Sequence, residues 1–222
     1  MKKSLQLKPL LLSLAVAGSS MAAIAPATTQ AGVSANVGMV SNYIFRGVEQ
    51  TESASASAGL DYEHESGIYV GTWVADVEDG LEYDIYAGWS GEIEGFSVGA
   101  GFAGYYYTDD AFDDTYQELN LSVGYGPVTV GYDRGEYDNY GNKLDYDHMY
   151  ASIGLGDFSA TVGQLDGDMD TKDDELTYVD VGYSFSLAEG LDGGVNYIYS
   201  DPDGGDSADY LVLSITKSFD LM

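Results

Sequence analysis

The chain has 222 residues, 37 of them acidic and eight basic, for a formal charge of −29. So acidic a balance lacks the basic footprint that phosphates demand and argues against a nucleic-acid partner, while the absence of cysteine removes disulfides as a source of stability. Glycine at 29 residues, tyrosine at 20 and proline at only four argue against a helical protein and fit short strands joined by turns.

Lys2, Lys3 and Lys8 precede an apolar stretch from Leu10 to Ala17 and small residues ending Ala27-Thr28-Thr29-Gln30-Ala31, the organisation of a secretory signal peptide. Residues 1–31 are the expected cleaved leader, with cleavage after Ala27 as the alternative, and 32–222 the single mature domain. The leader holds three of the eight basic residues and no acidic one. No later segment approaches the roughly 18 apolar residues of a membrane helix, so the mature chain is either soluble or crosses a membrane as a barrel.

From Gly32 onward apolar and polar residues alternate with period two, the signature of strands with one apolar face. Ala54, Ala56, Ala58, Leu60 and Tyr62 oppose Ser55, Ser57, Gly59, Asp61 and Glu63. Leu119, Leu121 and Val123 oppose Glu118, Asn120 and Ser122 in the same way, and Val179 and Val181 oppose Asp180 and Gly182. Such runs predict twelve strands, near 33–46, 54–63, 67–75, 81–91, 95–106, 116–125, 127–133, 146–155, 157–165, 176–186, 193–200 and 209–219. Alternation is less clean in three of them, which leaves the sides taken by Tyr69, Trp73 and Tyr197 open.

The connections have a rhythm of their own. Polar links at Gly47 to Ser53, Asp76 to Gly80, Thr108 to Thr115, Gly135 to Asp145, Asp166 to Glu175 and Asp201 to Ala208 alternate with tight turns. The turns fall at His64-Glu65-Ser66, Glu92-Ile93-Glu94, Gly126-Pro127, Gly156 and Leu187-Ala188-Glu189-Gly190. Long and short connections in alternation describe an all-β, up-and-down antiparallel barrel of the outer-membrane type, with short periplasmic turns, long exterior loops and both termini in the periplasm. Hydrocarbon offers backbone amides no partner, so such a sheet must close, and its apolar face must point outward. Tyr43, Phe45, Tyr62, Trp89, Tyr105, Tyr125, Tyr132 and Tyr183 lie toward strand ends, where interfacial girdles are expected.

The stretch VSNYIFRGVEQTES, followed by GLDYEHESGIYVGTWVADV and EYDIYAGWSG, resembles the proteobacterial porin family named after the TMAO-reductase-associated protein TorF. Ser41, Tyr43, Phe45, Arg46 and Gly47 match its N-terminal signature, and Gly67, Tyr69, Gly71 and Trp73 its third-strand pattern; Asn42 and Glu49 depart from it. The resemblance implies an outer-membrane barrel with a porin role.

Arg46 is a basic residue inside a strand pattern. By parity with Asn36, Gly38 and Asn42 it is expected to point into the lumen near the exterior end, paired with Glu82, Asp84 or Glu118, either setting a constriction or fixing the register of the first strand. The remaining candidate pore-lining residues are Tyr86, Asn120, Asp133, His148, Tyr150 and Asp180. Inward carboxylates would favour cations over anions, leaving zwitterionic and neutral solutes as further candidates. Asp166, Asp168 and Asp170 alternate like a calcium loop, but Thr171 and Thr177 stand where such a loop needs glycine and glutamate. Catalysis has little to work with. His148 and Ser152 are the one pair worth testing for a barrel lipid hydrolase, and no Gly-x-Ser-x-Gly elbow is present. The expectation is a non-enzymatic, cofactor-free channel for small solutes in the bacterial outer membrane. Its partners would be lipid and lipopolysaccharide around it and periplasmic chaperones and barrel assembly machinery before it; a non-conducting structural or adhesive barrel is the alternative.

Overall fold

The computed structural model describes residues 31–108, 115–139, 141–167 and 175–222, and its regular elements are all strands. In chain order these are β1 (Gly32–Val40), β2 (Ile44–Phe45), β3 (Val48–Glu49), β4 (Ser55–Glu63), β5 (Ile68–Asp76), β6 (Leu81–Ile93) and β7 (Phe96–Tyr107). They continue with β8 (Tyr116–Tyr125), β9 (Val128–Asn139), β10 (Asn142–Leu155), β11 (Phe158–Gly167), β12 (Glu175–Ala188), β13 (Leu191–Pro202) and β14 (Ala208–Asp220). All but β2 and β3 belong to one sheet. Each strand from β4 to β14 pairs antiparallel with its successor, β1 pairs with β4, and β1 meets β14 from Ser34 opposite Asp220 to Val40 opposite Ser214, closing a twelve-stranded barrel. The signal-peptide expectation for residues 1–31 lies outside the described residues apart from Ala31.

Burial follows the period-two pattern with the usual sides exchanged. Leu119, Leu121, Val123 and Tyr125 of β8 are exposed on the outside, while Glu118 and Ser122 between them are buried. Tyr62, Trp89, Tyr125, Tyr132 and Tyr183 are exposed outward. Tyr43 and Tyr105 are buried inside, and Phe45 packs on the buried interior, so these three do not join a girdle. Tyr69 and Trp73 share the inner face with Gly71 and Ala75, whereas Tyr197 is exposed outside.

The inner wall explains the glycine and tyrosine content. Tyr86 lies across from Gly71, Tyr69 from Gly88, Tyr150 from Gly131, Tyr146 from Gly135 and Tyr178 from Gly163, each as a cross-strand pair. A Cβ on Gly131 would fall 2.2 Å from the Tyr150 ring, and one on Gly163 would fall 2.4 Å from the Tyr178 ring. The tyrosines therefore lie flat over bare backbone, an aromatic cover that supports a glycine-containing strand without projecting far into the lumen. Twelve strands about 4.8 Å apart and tilted by about 40° enclose a backbone cylinder roughly 24 Å across.

Three sequence expectations are corrected. β1 stops at Val40 rather than running to residue 46, and the segment expected as an exterior loop from Gly47 to Ser53 belongs to a hairpin inside the barrel. Gly135 to Asp145, also expected as a loop, is mostly ladder: β9 and β10 stay paired from Val128 opposite Ile153 up to Asn139 opposite Asn142. Beyond Tyr132 and Met149 the outward face of this ribbon is charged. Arg134 pairs with Asp147 at 2.5 Å and Asp145 at 2.7 Å, and Lys143 pairs with Glu136. Here the apolar residues, Tyr137, Leu144 and Tyr146, lie on the inner face and the charges on the outer one, the reverse of the alternation that marks the bilayer-facing part of the strands.

The exchanged sides predict an asymmetric response to charge. Leu121→Arg, near the middle of β8, should lower the unfolding free energy in lipid vesicles by about 2–4 kcal/mol, and Gln117→Arg near the strand end by about 1 kcal/mol or less. Equal effects in denaturant titrations would show that the belt is not bilayer-facing.

Candidate functional site: a hairpin pinned across the lumen

After Val40 the chain turns into the barrel. Ser41 stays tied to β14, its N–H donating to Leu213 O at 2.8 Å and its Oγ accepting from Leu213 N–H at 3.0 Å. Ile44-Phe45 and Val48-Glu49 then pair around Arg46-Gly47, whose φ angles of 51° and 83° make a two-residue turn of type I′. A Cβ on Gly47 would lie 2.7 Å from the Cβ of Tyr178, so glycine is required by both conformation and space. Thr51 closes the base: its Oγ1 accepts from Tyr43 N–H at 2.9 Å and donates to Ser53 O at 2.7 Å.

Apolar residues hold the hairpin inside. Tyr43 and Ile44 form one buried cluster with Val40, Ala75, Val77, Ile198 and Val212, and Phe45 and Trp73 pack against it. Val48 packs on the other side against Tyr137, Tyr146 and Leu165. Ile44 is completely buried, a gain of roughly 2 kcal/mol over leaving it in water.

Arg46 projects from the tip and is 1% exposed. Its Nη1 donates to Glu118 Oε2 at 2.6 Å, and its Nη2 donates to Glu118 Oε1 at 2.9 Å and Asp133 Oδ2 at 3.0 Å. Glu118 is on β8 and Asp133 on β9, strands that face β14 and β1 across the closed order, so hairpin and side chain together bridge the lumen. Glu118 also accepts from Tyr146 Oη at 3.0 Å, Tyr105 Oη at 3.3 Å and Asn120 Nδ2 at 2.5 Å. Asn120 donates in addition to Asp133 Oδ1 at 3.0 Å. His148 lies 2.8 Å through Nδ1 from Asp133 and 3.0 Å through Nε2 from Tyr178 Oη. The tautomer that fits both contacts donates from Nδ1 to the carboxylate and accepts from the phenol at Nε2.

Taking a guanidinium and two carboxylates out of water costs several kcal/mol per ion, and only dense hydrogen bonding brings such a triad near balance. Its contribution is directional: few other arrangements satisfy Glu118 and Asp133 together. Among the described residues Arg46 is the one basic side chain aimed into the barrel, since Arg134, Lys143 and Lys217 stand on outward positions.

The other candidates distribute around this network. Asn120 and His148 belong to it, and the Tyr150 ring stacks on His148 with centroids 5.4 Å apart. Of the expected Arg46 partners, Glu118 binds it, whereas Glu82 accepts from Tyr43 Oη at 2.8 Å and Asp84 forms no ion pair with it. Tyr86 hydrogen-bonds Asp61 nearer the turn end, and Asp180 accepts from Asn196 Nδ2 at 2.7 Å. Asp166 is exposed on an outward position, and Asp168 and Asp170 lie outside the described residues. Ser152 is four residues from His148 on β10, about 13 Å along a strand, and both imidazole nitrogens are engaged elsewhere. The pair does not form a catalytic dyad. Reading the sequence missed Tyr43, Tyr105, Tyr146 and Tyr178 as partners, although Tyr178 shares its parity with Asp180. The Arg-Gly pair between Phe45 and Val48 was the available sign of a two-residue turn.

Arg46→Ala would strand two buried carboxylates, and it should destabilise the barrel by about 3–5 kcal/mol in equilibrium unfolding. Adding Glu118→Gln should recover part of that loss; further destabilisation would mean that the carboxylate is held independently of the arginine.

Comparisons with known proteins agree with this architecture. The KdgM porin is similar, with a TM-score of 0.53 at 9% identity, over 85% of this chain and 99% of that one. The same porin in complex with disordered oligogalacturonate gives 0.55 at 10% identity over the same shares. OccAB4 of Acinetobacter baumannii matches over 86% of this chain but 62% of its own, at a TM-score of 0.46 and 12% identity, so the chain spans less than two thirds of that protein. At these identities the likeness is one of fold. No match was found among curated proteins. Residues 24–217 match the model of a family described as bacterial protein of unknown function, Gcw_chp, and the chain therefore belongs to the Gcw_chp family.

Proposed function

We propose that the protein is a narrow outer-membrane channel for passive diffusion of small solutes, with the Arg46 hairpin as its constriction and the short turns and both termini on the periplasmic side. The observation that carries this reading is the division of the interior along its length. Toward the turns the inner wall carries small and hydroxylic residues such as Gly59, Ser97, Gly124, Thr129 and Ser159, while in the loop half the hairpin crosses the lumen. The likeness of residues 41–47 and 67–73 to the TorF-named porins supports the same reading, as does the fold shared with KdgM. Residues 1–31 would be removed on export, and lipopolysaccharide, periplasmic chaperones and the barrel assembly machinery would be the partners outside the lumen.

Inward Glu82, Asp84, Glu118, Asp133 and Asp180 face one inward arginine, so cations should pass in preference to anions. At physiological salt the screening length is about 8 Å, so these charges would act across a path narrower than that. Oligogalacturonate, named with KdgM, is a polyanion, and this charge balance does not favour that class here. A second reading has its own support: at the level of Arg46, Glu118 and His148 the interior is packed with side chains that are almost fully buried, as a non-conducting barrel would be.

Planar-bilayer recording separates the two. The wild type is expected to show small single-channel conductance with a cation-selective reversal potential under a salt gradient. Replacing residues 43–50 by a short Gly-Ser linker should raise the conductance severalfold. Silence from both proteins would overturn the channel reading.

A further inference from the structure

Asp84 stands apart from the other inward carboxylates. It is 1% exposed, and its Oδ1 has no hydrogen-bond partner among the described residues. A desolvated carboxylate oxygen without a donor is costly, and each of its neighbours in the network has solved that problem. Glu118 and Asp133 hold Arg46, Glu82 holds the Tyr43 hydroxyl, and Asp180 holds Asn196. The charged groups that act on Asp84 are Glu82 and Glu118, both carboxylates, and Arg46, the one inward arginine or lysine among the described residues, is committed to Glu118 and Asp133. The surroundings are aromatic. Trp73 on β5 and Tyr105 on β7 are the directly opposed cross-strand neighbours of Asp84 on the inner face. The hairpin adds Tyr43 against Trp73, centroids 5.7 Å apart, and Phe45 against Tyr105, centroids 5.9 Å apart.

We propose that Asp84 is a binding site for one partly dehydrated monovalent cation, of alkali-metal type, held beneath the hairpin between Trp73 and Tyr105. The carboxylate supplies the charge that the surrounding residues leave unbalanced, and ring faces attract a weakly hydrated cation at little desolvation cost. A divalent ion fits less well. Calcium and magnesium need about six oxygen ligands, and no group of three His, Cys, Asp or Glu among the described residues is arranged to hold a metal. The site lies where the proposed path narrows, so its occupant would be a permeating ion at rest.

The chain has two tryptophans, and Trp89 is on the outer face, so Trp89→Phe leaves Trp73 as a reporter beside the site. In detergent-solubilised mature protein, potassium chloride titrated against N-methylglucamine chloride at constant ionic strength is expected to change the Trp73 emission saturably. Asp84→Asn, nearly isosteric, should raise the half-saturating concentration at least tenfold. As a second measure in the protein with both tryptophans, potassium should raise the thermal unfolding midpoint and Asp84→Asn should abolish that rise. An unsaturable response, or one equal in Asp84→Asn, would overturn the proposal and leave a protonated carboxyl at this position. Neither measurement requires conduction, so failure here is distinguishable from failure of the channel reading.

Discussion

A guanidinium that has left water must find carboxylates, and in this barrel that requirement decides what fills the lumen. Arg46 reaches Glu118 and Asp133 only if the chain after β1 crosses the interior, and it crosses only as a two-residue hairpin whose second turn residue has no side chain. The apolar residues of the hairpin supply the favourable burial. The ion pairs, close to neutral in net energy, select this arrangement from others that would bury the same residues. Phenols and imidazole then complete the shell, with Tyr105, Tyr146 and Asn120 on Glu118 and His148 on Asp133. A hairpin with its side chains is about 10 Å thick, a fit for a cylinder roughly 24 Å between backbones once both walls have contributed theirs.

Much of the barrel was legible because its physics is local. A spanning sheet must satisfy its own backbone, so strand parity, connection length and strand number are written in short-range patterns. The same parity placed Glu82, Asp84, Glu118 and Asp180 on the inner face. Legibility failed where period-two reading met a segment that is not a barrel strand: residues 41–46 continue the alternation of β1, and parity gave Arg46 an inward direction for the wrong reason. The partner β4 begins only at Ser55 opposite Val40, and that shortfall in length marked the end of the strand. Asp133 as the second partner was beyond local reading, since it depends on how β8 and β9 stand across the closed cylinder.

The interior also divides its polar groups by task. Tyr86 over Gly71 and Tyr69 over Gly88 lie along the wall away from the arginine network, whereas Tyr150 over Gly131 stacks on His148. The tyrosines over Gly135 and Gly163, Tyr146 and Tyr178, turn their hydroxyls to Glu118 and His148. One sequence device, a tyrosine opposite a glycine, thus covers the wall at one depth and joins a packed network at another. The difference lies in whether the hairpin is there to meet it.

The absence of cysteine allows the central claim, that residues 43–50 lie inside the barrel, to be read with a single introduced thiol. Ile44→Cys should react with a bulky, membrane-impermeant maleimide at least tenfold more slowly than Asp203→Cys in the exposed loop between β13 and β14, with the protection lost when Glu118→Gln and Asp133→Asn are added. Equal labelling of Ile44→Cys and Asp203→Cys in the otherwise unaltered protein would place the segment outside the lumen and contradict the account.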